Sequence, residues 1–201
     1  MRTVLAAMRS VRLPYELAVP VRTARLMLRT MTDEDVDDIH AYQSRADVCR
    51  YLMFEPRTRD QAAEKVATYS EALVLNGDGD FWQLAIERAS DPGCVIGDVY
   101  FTIKSAANAT GEIGWTLHPD HAGHGYMTEA AHAVLEIAFN GLGLHRVRAE
   151  LDPRNDASVA LCKRLGMRQE AYFVEDLWFK GAWGDTTVYA TLDREWAARA
   201  T

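Results

Sequence analysis

Between Gly111 and Ala130 the chain reads GEIGWTLHPDHAGHGYMTEA. A strand-like stretch ends at Pro119, and a turn carrying Gly123 and Gly125 opens directly into a helical pattern. That order is the first half of a βαβ crossover, the connection that lets two neighbouring strands run parallel. It also leaves main-chain N–H groups unpaired at the positive end of a helix dipole, which makes an anion site. The ligand chemistry it suits is a phosphate or pyrophosphate, carried by a cofactor. A tight turn that needs its glycines for geometry alone fits the spacing equally well.

The 201 residues suit one domain with a sizeable core, 48% of them apolar and 25% charged. The net charge is -7 and no basic face stands out, which argues against general nucleic-acid binding. An acidic surface favours a cationic amine as substrate, although mild acidity is also commonplace. Cys49, Cys94 and Cys162 are widely spaced and form no CxxC pair, so neither a disulfide framework nor a zinc–cysteine site is expected. The apolar run Val4 to Met8 is too short for a secretory leader or a membrane span. The expectation is a cytoplasmic protein with no membrane partner. Residues 1–20 are expected to be a peripheral extension, 21–196 the single domain, and 197–201 a short tail.

Along the chain, Leu26 and Leu28 alternate as in a strand, and Thr32 followed by acids opens a first helix. Thr58 with Gln61 reads as a capping box, and helical spacing from there reaches Leu73 before Asn76-Gly77. Three strands follow, Phe81 to Glu87, Val95 to Ile103 and Gly111 to Leu117, joined by turn residues as sequential hairpins. After the glycine turn come a helix, a strand from His145 to Leu151, a helix capped at Asn155 or Asp156, and two closing strands. The fold class is α+β, with a mostly antiparallel sheet and helices on both faces.

Several residues could carry chemistry. Glu112 precedes the glycine turn among apolar neighbours; partial burial would raise its carboxyl toward the range of a useful base, whereas a solvent-facing strand position would not. Asn155 and Ser158 open the later helix. Asn155 suits either a cofactor amide or a plain N-cap, and Ser158 can donate a proton. Cys162, one turn on, is expected to be core. His118, His121 and His124 lack a completing ligand set, so no metal is expected. Tyr51, Phe54 and Trp82 are candidates for an acceptor pocket or for core. Trp178 and Trp183 could serve a dimer face; monomer and homodimer both stay open.

These motifs, in this order, resemble the GNAT superfamily of acyl-CoA-dependent N-acetyltransferases, and within it the ribosomal-protein N-terminal acetyltransferase branch. PVRTARLMLR resembles the opening strand, GEIGWTLHPDHAGHGYMTEAA the acetyl-CoA motif, LDPRNDASVALCKRLGMRQEAYF the following strand-helix-strand, and FKGAWGDTTVYATLDREW the closing segment. The resemblance implies a three-layer fold with acetyl-CoA as acyl donor and a primary amine as acceptor, a protein N-terminus or a small molecule. It places the pyrophosphate loop at Ala122, Gly123, His124, Gly125, Tyr126 and Met127, continuing to Thr128. Ala122 departs from the family's Gln or Arg, and Met127 from its small residue. Trp115, Thr116 and Leu117 match the splayed strand that pairs with pantetheine. Glu112 matches a general base, Asn155 a cofactor contact and Ser158 a proton donor to the leaving thiolate. Cys162 stands where many members have a tyrosine. A CoA-binding sensor without catalysis, or an enzyme using a longer donor such as succinyl-CoA, are the alternatives.

Overall fold

The computed structural model describes residues 10–199. Its strands are β1 (Tyr15–Glu16), β2 (Val21–Arg22), β3 (Leu26–Arg29), β4 (Val74–Leu75), β5 (Phe81–Arg88), β6 (Asp91–Ser105), β7 (Thr110–Leu117), β8 (Arg146–Leu151), β9 (Arg168–Phe179) and β10 (Ala182–Leu192). Its helices are α1 (Val36–Gln43), α2 (Ala46–Cys49), α3 (Arg59–Ser70), α4 (Tyr126–Glu136), α5 (Asp156–Arg164) and α6 (Asp193–Ala197). The main sheet has eight strands in the order β2-β3-β5-β6-β7-β8-β10-β9. Its pairs are antiparallel apart from β7 with β8, which the α4 crossover makes parallel. The α+β architecture expected from the alternation is therefore the one observed. No described helix is long and apolar enough to cross a membrane.

The parallel pair is short. β7 and β8 are in register only from Thr110–Arg146 to Glu112–Arg148. Beyond Glu112 the two strands part, while β7 stays paired to β6 as far as Leu117 opposite Gly97. His118 N donates to Ile96 O at 2.8 Å, which fixes the parity of that ladder. Even-numbered residues of β7 turn their main-chain groups to β6, so those of Ile113, Trp115 and Leu117 point into the opening. Gly97 allows the close pairing behind it: a Cβ there would lie 2.4 Å from Thr116 O.

Apolar residues fill both faces of the sheet. One core joins Leu84, Ile86 and Ile113 to Ala131, Val134 and Leu161 of α4 and α5; the other joins Met31 and Ala85 to Val36, Ile39 and Val66 under α1 and α3. Trp82 belongs to the first of these cores and not to an acceptor pocket. It is fully buried, stacked 5.4 Å from Phe101, with its Nε1 donating to Leu73 O at 3.0 Å. A large aromatic on the inner face of a central strand gains most by losing all contact with water.

Two expectations about organisation are corrected. The described part of the 1–20 segment is not peripheral. Leu17 is buried, β1 pairs with β4, and the Arg12 side chain donates to Asn140 O and Gly141 O. The run Val4 to Met8 and the last two residues of the tail lie outside the described residues. Second, α3 does begin at a Thr58–Gln61 capping box, but it stops at Ser70. Leu73 and its neighbours are drawn into main-chain pairing: Leu73 O accepts Leu17 N at 3.1 Å and β4 pairs with β1. Tertiary partners override helical spacing there.

Candidate active site

The parting of β7 and β8 opens a cavity of about 970 Å³. Its walls are Trp115 to Leu117 on β7, the turn at Ala122 and Gly123 and from Gly125 to Thr128, and Asn155, Ser158 and Leu161 on α5. The N-terminal residues of α4 and α5 thus meet at one mouth. Gly123 and Gly125 have φ of +82° and +77°, the left-handed region that side chains with a Cβ resist. Gly125 is the N-cap of α4, whose ladder begins with Glu129 N donating to Gly125 O at 3.1 Å. The N–H groups of Tyr126, Met127 and Thr128 come before that bond and face the turn. This is a cradle of main-chain donors at a helix start, the geometry that suits an anion. Met127 is only 7% exposed and sits in the main core, so its bulk is taken up beneath the turn.

Across the opening, Asn155 Oδ1 accepts Ser158 N at 3.2 Å and caps α5. The N-cap reading of Asn155 therefore holds, and it lines the cavity. Trp115 Nε1 donates to Ser158 Oγ at 3.1 Å. An indole N–H only donates, so the serine oxygen is the acceptor and its own proton is left to point elsewhere. Cys162 is fully buried, and burial pushes its thiol up to about 12. It supplies no acid at the cavity.

Glu112 lies off the cavity wall, below the fork and part-buried. Its Oε2 takes Arg148 Nη2 at 3.0 Å and Lys104 Nζ at 3.6 Å. Arg148 Nε reaches the same oxygen at 3.1 Å, and among the described residues Oε1 has no partner. The carboxylate is thus anchored through one oxygen and open at the other.

Of the aromatic candidates, Tyr51 lines the cavity, beside Asp47, Val48 and Leu52. Phe54 does not; its ring lies under the Arg57 guanidinium at 3.7 Å and its carbonyl accepts Lys180 Nζ. His124 is exposed and off the cavity wall, its ring 5.6 Å from Tyr126, while its carbonyl accepts Arg25 Nη1. His118 Nδ1 accepts Asp120 N, and burial lowers the His121 pKa. Among the described residues no three His, Cys, Asp or Glu side chains gather as a metal group.

Sequence reasoning missed two cavity arginines. Arg25, between β2 and β3, ion-pairs with Glu129 at 2.7 Å and so ties the sheet's far edge to the start of α4. An acid in the first turn of α4 was a readable signal for Glu129; nothing local marked Arg25. Arg164, at the end of α5, donates to Thr128 Oγ1 at 3.2 Å.

Behind β7, opposite Thr116, Asp98 is buried under α1. Its carboxylate accepts Tyr42 Oη at 2.6 Å and also Gln83 Nε2. Burial outweighs these bonds and raises the carboxyl from 3.8 to about 6. Between those values the folded protein holds a proton that the unfolded chain has released. The stabilisation is therefore complete below 3.8 and is lost as pH rises through about 6. Asp98→Asn should accordingly gain stability relative to the parent between pH 4.5 and 7.5, by about 5 °C in melting temperature. A constant difference between the two proteins across that range would show that Asp98 does not titrate in the folded state.

A model of the acetyltransferase (GNAT) domain matches residues 25–168. An uncharacterized N-acetyltransferase of Bacillus subtilis, YnaD, is 32% identical over 176 residues, 88% of this chain and 98% of its own. YdaF of the same species, named as a ribosomal N-acetyltransferase, is 29% identical over only 52% of this chain and 57% of its own, a weak tie to that branch. The crystal structure of a GNAT-family acetyltransferase from Bacillus anthracis shares 27% identity with a TM-score of 0.78, covering 87% of this chain and 99% of that one. Spermidine N-acetyltransferase from Vibrio cholerae, solved with CoA and spermine, has the same fold at 21% identity and a TM-score of 0.72, with coverage of 87% and 99%. Cradle, forked strands and family model agree: the chain belongs to the GNAT acetyltransferase family, enzymes that transfer acyl groups from acyl-CoA.

Proposed function

We propose that this chain acetylates a primary amine, a protein N-terminus or a small molecule, by direct attack on acetyl-CoA. The carrying observation is the fork between β7 and β8. Main-chain groups of Trp115 and Leu117 lie open there, beside the cradle at Gly123 to Thr128 and in line with Ser158. An extended pantetheine arm can add to β7 as a further strand does, by main-chain pairing.

Acetyl-CoA supplies the activated acyl group. The protein's residues do the rest. Leu117 N–H faces the fork and can meet charge developing on the acyl oxygen, where loss of one such donor costs roughly 3–4 kcal/mol. Ser158, its oxygen pinned by Trp115, donates a hydrogen bond to the departing sulfur and keeps its own proton, and the thiolate takes its proton from solvent; the need is modest because a thiol of pKa about 8.5 leaves readily. The amine must be neutral to attack. An α-amino group near 8 is partly so already, and a lysine near 10.4 is not. Glu112 Oε1 takes the released proton, through water given its place below the cavity.

Ser158→Ala should lower kcat about fivefold to tenfold with KM for acetyl-CoA nearly unchanged, as fits one modest hydrogen-bond donor. Trp115→Phe should move kcat the same way, because the serine loses its anchor. If acetyl-CoA affinity drops while turnover holds, Ser158 is a binding group and not a donor to the leaving sulfur. The acceptor class is tested by thiol release with acetyl-CoA and succinyl-CoA against amines and peptides, with products identified by mass spectrometry. CoA binding without release for any amine would favour the sensor reading.

A further inference from the structure

Phe179 and Ala182 pair across the turn that joins β9 to β10, so Lys180 and Gly181 are its two central residues. Both have positive φ, +49° and +79°, the pattern of a type I′ hairpin turn. Asparagine is the residue such a turn prefers before glycine, and a lysine there holds left-handed backbone at a cost. Local turn chemistry does not account for Lys180; what its side chain does elsewhere accounts for it.

The ammonium reaches away from the hairpin. Lys180 Nζ donates to Cys49 O at 2.6 Å and to Phe54 O at 2.9 Å, and Glu55 Oε2 lies 3.8 Å away. One cation thus bridges both ends of segment 50–54, from 131 and 126 residues along the chain. Apolar packing does not hold that segment. None of Tyr51, Leu52, Met53 and Phe54 belongs to either core, and Arg50 and Met53 are exposed. Yet Tyr51 and Leu52 line the cavity. They follow α1 and α2, and α1 packs on the face of the sheet opposite to α4 and α5. Glu112 shares that face. Thr116 pairs with Asp98, which lies under α1, and Glu112 is four residues from Thr116 on the same strand.

We infer that Lys180 is a positioning residue for the amine acceptor. Its ammonium ties the hairpin tip to segment 50–54 and holds Tyr51 and Leu52 as the cavity wall on the side of Glu112, away from the cradle. The inference rests on the acetyl-transfer reading above. It needs no contact between Lys180 and either substrate.

The test compares the parent with Lys180→Asn and Lys180→Arg as full chains. Asparagine suits the turn and removes the clamp; arginine keeps a cation that can donate to carbonyls. Thiol release from acetyl-CoA is followed with spermidine and with a tripeptide amide as acceptors. Lys180→Asn should raise acceptor KM about tenfold, with kcat at saturation and the calorimetric Kd of acetyl-CoA within about twofold of the parent, the pattern of lost acceptor binding. Its melting temperature should equal or exceed the parent's, and Lys180→Arg should recover most of the KM. Without any ligand, trypsin should cut after Arg50 about tenfold faster in Lys180→Asn, as fits a segment freed at both ends. Unchanged acceptor KM in Lys180→Asn overturns the inference. So does a rise in acetyl-CoA Kd that matches the rise in acceptor KM, since Lys180 would then only support the fold. Equal trypsin cleavage in the two proteins overturns the clamp itself. If the parent releases thiol with neither amine while the trypsin difference stands, the acetyl-transfer reading fails and the clamp survives it.

Discussion

Replacing Glu112 by glutamine is expected to slow amine acetylation about 100-fold at pH 7 and far less at pH 9, within the range of a lost general base. The reason lies in which proton must move. At pH 7 an α-amine with pKa about 8 is mostly protonated, and a carboxylate that accepts its proton keeps the reactive form supplied. At pH 9 most of the amine is neutral already, so the carboxylate matters less. The geometry makes the variant clean. Glutamine keeps the shape of Glu112, and Arg148 retains a second carboxylate partner in Glu150 at 2.9 Å. The ion pair through Oε2 therefore breaks with Arg148 still paired, and Lys104, which is exposed, turns to solvent. Steady-state rates of both proteins across pH 6.5 to 9.5, with melting curves to confirm folding, decide the matter. A rate ratio that does not change with pH would reduce Glu112 to one corner of an ion pair with Arg148 and Lys104.

The parts of this molecule that were readable from sequence are those where local chemistry and global fold agree. Phe81 to Glu87 and Gly111 to Leu117 read as strands because turn residues bound each of them, and both pair on either side within the main sheet. The glycines at 123 and 125 marked the turn into α4, because left-handed backbone at a strand-to-helix turn leaves few other choices. Asn155 marked the start of α5 by the same kind of local rule. What stayed hidden depends on partners far away in the chain. Trp82 reads alike in a pocket or a core until Phe101 and Tyr15 are seen against it. Leu73 continues a helical pattern until Leu17 takes its carbonyl. Arg25 reaches its role from 104 residues before Glu129. Arg164 looks like a solvated charge at a helix end, a favourable place for it in any protein, and only the shared cavity wall sets it apart. The fork itself was legible solely through resemblance, since no residue type between Ile113 and Leu117 announces where two parallel strands will part.

Gly125→Val should cut acetyl-CoA affinity by about 100-fold or more, the sum of a strained turn and misdirected donors. At φ of +77° a β-branched side chain is held in a region it scarcely visits. The chain can relieve that strain by rotating the turn, and rotation re-aims the N–H groups of Tyr126 to Thr128 that form the cradle. The space around the residue is not the obstacle: the nearest atom to a Cβ at this position is Arg25 Nη2 at 3.5 Å, an ordinary contact with a flexible side chain. Backbone conformation alone is therefore under test. Asparagine tolerates the left-handed region far better than valine, so Gly125→Asn should lose only a few-fold of affinity. Calorimetric titration of the three proteins with acetyl-CoA would order them parent, asparagine, valine. Valine binding as tightly as glycine would mean the diphosphate is held somewhere other than this turn, and the mechanism drawn from the fork would lose the anchor that aligns the thioester with Glu112 and Ser158.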